Sequence, residues 1–362
     1  MKTLSIDNLK EKKVLILYNY LFHYRIPIFQ LLAEKCDLTV AYSLGKGSEE
    51  NLKFKVLKLP IRKFNRFVIH KDNIYKICED FDMVIAYGDI SWLNYSTLGF
   101  YRKRKFKLLY WSIGVSASYN KKFDSVSKWD VIRNFFYKKA DALIFYTNYP
   151  INKYLKKGFN SKTLFVAPNT VEVLNKMNDT KDSLLFIGTL YFQKGILTLL
   201  NSYKDAWIEN NDILPLNIIG SGPDFHKVRD WIAENELNKK INLLGAIYNI
   251  KIKAKYFNKA YACLSPNQAG LGVLESMGYG VPFVTMYDSI TGGERLNITN
   301  NVNGIILSSI NELKNVILDT TINNLKYIEM GYKAKEYYNK NRTPLKMVNG
   351  LENALKYTLQ IK

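Results

Sequence analysis

The sequence has little of what disulfide and metal chemistry is built from. Only three cysteines and three histidines stand among 362 residues. Cys36, Cys78 and Cys263 are scattered and odd in number. They give neither a disulfide framework nor a metal site, and the chain shows no His/Cys cluster with ligand spacing. Each cysteine therefore reads as a small buried apolar residue. Long apolar runs are also missing: nothing approaches the ~18 consecutive residues of a membrane span. The stretch Met1 to Lys13 is polar and lacks the apolar core of a secretory signal, so a cytoplasmic location is expected.

Acidic residues are scarce as well, 32 Asp and Glu against 52 Lys and Arg, for a net charge of +20. The shortage lies in one half. Residues 1–170 hold 30 basic and 14 acidic side chains, and residues 171–362 hold 22 and 18. A lysine-rich genome would explain the total but not this asymmetry. A basic half calls for an acidic partner: nucleic acid, an anionic membrane surface or a phosphorylated substrate. Aromatic residues, 26 Tyr and 19 Phe among them, interleave with the basic runs 61–67 and 101–107. That mixture suits a peripheral position on the inner face of the plasma membrane.

A length of 362 residues is comfortable for two domains, and 47% hydrophobic residues supply real cores. Short apolar runs without alternation read as strands buried on both faces. They begin at Val14, Leu38, Asp82, Leu108, Ala142 and Leu164. After a polar stretch over 171–182, taken as a linker, the pattern restarts at Leu184, Leu216, Ile241, Ala262 and Pro282. Helical stretches separate the strands. The expected fold class is α/β, with two Rossmann-like domains facing across a cleft. Their expected bounds are 1–170 and 171–340, with a last helix over about 341–362 packing back on the first domain.

Ligands of such sheets bind beyond the carboxyl ends of the strands. The most informative segment there is Ser265-Pro-Asn-Gln-Ala-Gly-Leu-Gly-Val-Leu-Glu275. Gly270, Leu271 and Gly272 would bring backbone N–H groups and a helix N-terminus to an anion. Glu275, placed in the first helical turn, could accept two hydrogen bonds from vicinal ribose hydroxyls or simply complement the helix dipole. In the first half, His23 and Arg25 follow the first strand and Asp89 follows the Asp82 strand. These three are candidates to meet acceptor or phosphate, though packing or surface roles are open to each.

The Ser265–Thr285 segment resembles the donor-binding signature of the group 1 glycosyltransferases (family 4), in which two glutamates are separated by seven residues. Glu275 falls on the second of them, and Gly270, Gly280 and Pro282 on their counterparts. Asn267 stands where the first is expected. The resemblance continues through Phe186 to Ile196, where Lys194 matches a diphosphate-binding lysine beside Gly188, and Thr189 replaces an arginine. The Gly220-Ser-Gly-Pro223 turn, the base-seating stretch around Tyr248 and the Asn303-Gly304 pair match in order. It implies a sugar transferase using a nucleoside diphosphate sugar, with retention of configuration and no cofactor or metal. It also implies a lipid-linked saccharide acceptor in cell-surface polysaccharide synthesis. Lys194 and the N–H groups near Gly270 would stabilise the leaving diphosphate, Glu275 would hold the ribose, and Asn267 a sugar hydroxyl. Two alternatives stand beside this. One is a sugar-nucleotide epimerase of similar build, and the other a nucleic-acid-binding protein, for which no binding motif accompanies the charge.

Overall fold

The computed structural model describes residues 9–45, 51–117, 122–174 and 180–360. Most of the polar opening stretch (residues 1–8) and residues 175–179 of the expected linker lie outside them. The chain divides into two compact units. One is built from residues up to Asn169 together with Pro344–Lys362, and the other mainly from Thr170–Thr343.

The first unit holds β1 (Lys13–Leu17), β2 (Asp37–Tyr42), β3 (Lys55–Lys58), β4 (Ile61–Phe64), β5 (Phe67–His70), β6 (Met83–Tyr87), β7 (Lys107–Ser112), β8 (Ala142–Phe145) and β9 (Leu164–Val166). Seven of these form one sheet in the order β3-β2-β1-β6-β7-β8-β9, while β4 and β5 make a separate antiparallel hairpin. Every pairing in the sheet is parallel.

Parallel strands are connected by helices that cover both faces, which is why the interiors of these runs are mostly apolar. On β1, Val14 and Ile16 enter one core and Leu15 and Leu17 the other. The first core is closed by two helices. In Ile26–Ala33, Pro27 sits in the first turn, where its missing N–H costs nothing. In Pro344–Gln360, Met347, Val348, Leu351, Ala354 and Leu355 are all buried.

The second unit holds β10 (Ser183–Ile187), β11 (Leu216–Ile219), β12 (Ile241–Leu243), β13 (Ala260–Leu264), β14 (Phe283–Met286) and β15 (Gly304–Leu307). They form an all-parallel sheet in the order β12-β11-β10-β13-β14-β15. Both units are thus Rossmann-like, and each has a point where strand order reverses: between β1 and β6, and between β10 and β13. Loops leaving adjacent strands there diverge to opposite faces, which opens a crevice at the carboxyl edge.

The three cysteines are free and buried. Among the described residues no helix is long and apolar enough to cross a membrane.

The final helix is a structural member of the first unit. Truncating its fully buried Leu351 to Ala is expected to cost about 2–5 kcal/mol. Urea unfolding followed by circular dichroism should show an earlier transition for the first unit, with the second left in place.

Candidate active site

The reversal point of the second sheet gathers the loops that follow β10 and β13. After β10 the chain makes a short turn, Phe192–Lys194, that closes on Gly195 with φ 68° and ψ 30°. This left-handed conformation suits glycine, and space demands glycine too. A side chain at position 195 would run into the carboxamide of Asn267, from the loop after β13. The Tyr191 hydroxyl donates to Oε1 of Gln268 at 3.1 Å and ties the same two loops together. Lys194 and Asn267, far apart in sequence, are therefore neighbours.

The Lys194 side chain folds back over Gly188. Burial lowers its pKa from 10.5 to about 8, and the carboxylate of Glu294 opposes the fall. Among the described residues its ammonium makes no ion pair. Glu294, which sequence reasoning missed, lies in the loop beyond β14. Its Oε2 accepts from the Gly292 N–H at 2.9 Å.

The loop after β13 leads through Gly270 into the helix Leu271–Gly278. The Val273 N–H already donates to the Gly270 carbonyl. The N–H groups of Gly270, Leu271 and Gly272 donate to no backbone carbonyl among the described residues. They form an open, positively polarised helix end. Gly272 lies against Phe283 and Ile187, so this end sits over the carboxyl edge of the sheet.

Glu275 is the fifth residue of the helix, just past the first-turn position expected from sequence. The helix begins at Leu271, with Gly270 in a non-helical conformation (φ −101°, ψ −146°) as its cap. At this depth Glu275 is buried, and its Oε1 is held by the ammonium of Lys253, also largely buried. Lys253 belongs to the helix Ile250–Lys259, whose inner stripe carries Ala254 and Phe257. A lysine on that stripe was the available signal, and it was masked by the flanking Lys251 and Lys255.

The remaining candidates are placed as follows. Gly220 and Gly222 pack backbone against backbone on the β10 loop, where a Cβ would strike the carbonyl oxygens of Gly188 and Leu190. Thr189 is exposed beside them. Tyr248, in the loop after β12, is 77% exposed.

In the first unit, His23 is exposed after β1, and Asp89 after β6 accepts from the Ser91 N–H at 2.9 Å and hydroxyl at 2.8 Å. Arg25 requires a correction as a phosphate ligand. It is 3% exposed, its Nη2 donates to Asn169 at 2.8 Å and its Nη1 to the Met347 sulfur at 3.1 Å. The rings of Trp111 and Tyr146 lie 5.4 and 5.3 Å from its guanidinium carbon. His70 was not singled out from sequence. It is buried against Ser43 at 3.2 Å, and burial brings its pKa down to about 4, so it stays neutral near pH 7.

No group of His, Cys, Asp or Glu that could hold a metal is found among the described residues. The one Asp-x-Asp of the chain, Asp80-Phe81-Asp82, lies at the amino end of β6, where Asp82 accepts the Lys13 N–H at 2.8 Å. That is the sheet edge opposite to the ligand-binding one.

Two Rossmann-like units with an anion-ready reversal point match the architecture of nucleotide-sugar enzymes. Residues 170–337 match the family described as "Glycosyl transferases group 1". The second unit is thus similar over most of its length to a group 1 glycosyltransferase domain.

Among curated relatives, the poly(glycerol-phosphate) alpha-glucosyltransferase of Bacillus subtilis (strain 168) is 25% identical over 215 residues, 55% of this chain. The match spans 31% of that relative, about a third of its length. Among solved structures, Anabaena HepE in complex with UDP-glucose aligns with TM-score 0.72 at 13% identity, covering 95% of this chain and 99% of that one. A putative UDP-N-acetylglucosamine 2-epimerase from Listeria monocytogenes aligns with TM-score 0.68 at 18% identity, covering 97% of each chain. Transferase and epimerase share this fold.

The depressed pKa of Lys194 sets a sign. Between about pH 8 and 10.5 the unfolded chain holds more protons here than the folded one, so this lysine's contribution to stability rises with pH through that window. An anion seated against the ammonium raises its pKa and takes up a proton. Calorimetric titration of UDP at pH 8.5, in two buffers of different ionisation enthalpy, should show proton uptake that is absent in Lys194→Met.

Proposed function

We propose that the protein transfers a sugar from a nucleoside diphosphate sugar to an acceptor hydroxyl, with the second unit holding the donor. One observation carries this reading: Lys194, Asn267 and an open helix N-terminus meet at the reversal point of a parallel sheet, with buried Glu275 one turn further on. The hard step is departure of the diphosphate. Lys194 and the N–H groups of Gly270 to Gly272 stabilise the charge that develops on it. Glu275 keeps its second carboxylate oxygen for the ribose while Lys253 neutralises the first. Asn267 hydrogen-bonds a sugar hydroxyl, Tyr248 seats the base, and His23 and Asp89 contact the acceptor. The leaving phosphate itself takes the acceptor proton, and configuration is retained. No metal or cofactor is needed.

The Bacillus relative acts on poly(glycerol-phosphate) and the Anabaena neighbour binds UDP-glucose. The second supports a UDP-sugar donor and the first a phosphate-bearing polymer as acceptor; by the family resemblance the acceptor would be a cell-surface polymer or its lipid-linked precursor. The basic first unit is consistent with work at the cytoplasmic face of an anionic membrane.

Glu275→Ala and Lys194→Ala should each lose roughly thirty- to a thousandfold in rate, as expected for ~2–4 kcal/mol of charged contact, with folding retained in Lys194→Ala and stability lowered in Glu275→Ala, which strips the buried Lys253 of its partner. Asn267→Ala should lose less. Full activity of both charged-site variants across a range of donors would remove this assignment. Release of UDP that requires an acceptor separates transfer from epimerisation, and release or epimer formation without one would favour the epimerase.

A further inference from the structure

The helix Trp129–Tyr137 of the first unit has its amphipathicity turned inside out. Its polar pair, Asp130 and Arg133, is sheltered and bonded at 2.7 Å. Tyr137 is buried, stacks on Tyr110 at 5.1 Å and donates to the Gly88 carbonyl at 2.6 Å. The apolar residues point outward instead: Val131 is 73% and Phe135 57% exposed, and Ile132 is also exposed. Lys128, Lys138 and Lys139 fall three or four residues from these positions, so they flank the same face, and all three are exposed.

The face continues on both sides. The guanidinium of Arg66 lies 3.9 Å from the ring centre of Trp129, which joins the β4–β5 hairpin to the helix. At the hairpin tip Phe64 is 71% exposed, with Arg62, Lys63 and Arg66 exposed around it. On the other side Phe100 packs on Phe135 at 5.2 Å, next to exposed Arg102, Lys103 and Lys105. The nearby carboxylates are already engaged: Asp130 by Arg133, Asp141 by Arg104, and Asp124 by Lys153. The basic rim is therefore uncompensated.

We infer that this face, made of the Trp129–Tyr137 helix and the β4–β5 hairpin tip, is the surface that docks on an anionic lipid bilayer. The inference rests on, and makes specific, the proposed peripheral location. An apolar centre with a cationic rim fits acyl chains below and anionic headgroups around. Nucleic acid would match the rim but give no return for Val131, Ile132 and Phe135. A second copy, paired through the same face, would set one basic rim against another.

The test is sedimentation with phosphatidylglycerol-containing and pure phosphatidylcholine vesicles at low and high salt, with no nucleotide or acceptor present. Docking and donor chemistry then succeed or fail separately. Binding should be confined to the anionic vesicles. Each replacement among Lys128, Lys138 and Lys139 by Ser should weaken it about fivefold. Phe64→Ser and Phe135→Ser, at exposed sites that leave folding intact, should each weaken it about tenfold or more. UDP binding should be unchanged in all of them. Equal binding to both vesicle types, or wild-type binding by the variants, overturns the inference. So does a dimer, seen by light scattering, that the Phe135→Ser variant dissolves while lipid binding persists.

Discussion

The candidate site depends on how closely two loops approach at the carboxyl edge of the second sheet. Gly220 allows the Gly188 carbonyl into the volume where any other residue would place its Cβ, so the loops after β10 and β11 stack backbone on backbone. With that contact in place, the β10 loop has little freedom. Its Gly188 and Leu190 N–H groups are fixed by the Ile219 and Ser221 carbonyls at 3.0 and 3.1 Å. A loop held this way delivers Lys194 over Gly188 and sets Gly195 against Asn267. Positioning of the charged group thus follows from the absence of a side chain elsewhere, a condition imposed by sterics and independent of any ligand.

Arg25 answers to a different constraint in the first unit. A buried guanidinium ordinarily needs a carboxylate, because desolvating a lone charge is costly. Here the neighbours are an amide, a thioether and aromatic faces, and its Nε has no hydrogen-bond partner. Those partners come from the end of the unit's main stretch, Asn169, and from the returning helix, Met347. The arginine joins two chain segments that are remote in sequence. Residue type alone made it a phosphate ligand, and only its three-dimensional enclosure assigns it to structure.

The same distinction marks what the sequence made legible. Strands buried on both faces, such as Val14 to Leu17 and Ala142 to Phe145, announce themselves as unbroken apolar runs, and the α/β class followed from their recurrence. β3 did not, since Lys55 and Lys58 at its ends lie at the sheet's edge and face water. The β4–β5 hairpin was read as a basic run because its strands pair with each other outside the main sheets and carry exposed Arg62 and Lys63. At the site, glycines and Lys194 stood out through their spacing. Glu294 and Lys253 did not, because each earns its relevance from a neighbour on another element: Lys194 for the first, Glu275 for the second. The outward apolar face of the Trp129–Tyr137 helix was equally hidden. Its spacing fits a helix packed either way round, and which face is covered is decided by Tyr137 and the Asp130–Arg133 pair.

The charge balance around Lys194 gives the neutral residue at position 267 a physical meaning. A carboxylate there, packed against Gly195, would lie close to the lysine backbone and favour the protonated amine while partly cancelling its charge. With Asn267 in that place, the carboxylate that acts on Lys194 is Glu294, which is itself tied to the Gly292 N–H. The ammonium is left desolvated, with its positive charge poorly compensated, beside a helix end of the same sign. Burial disfavours the ammonium, and on the proposed reading the donor diphosphate would supply the counter-charge to it and to the helix end. On that reading, an amide in place of a carboxylate at position 267 leaves the counter-charge for Lys194 to be supplied by Glu294 and by the donor.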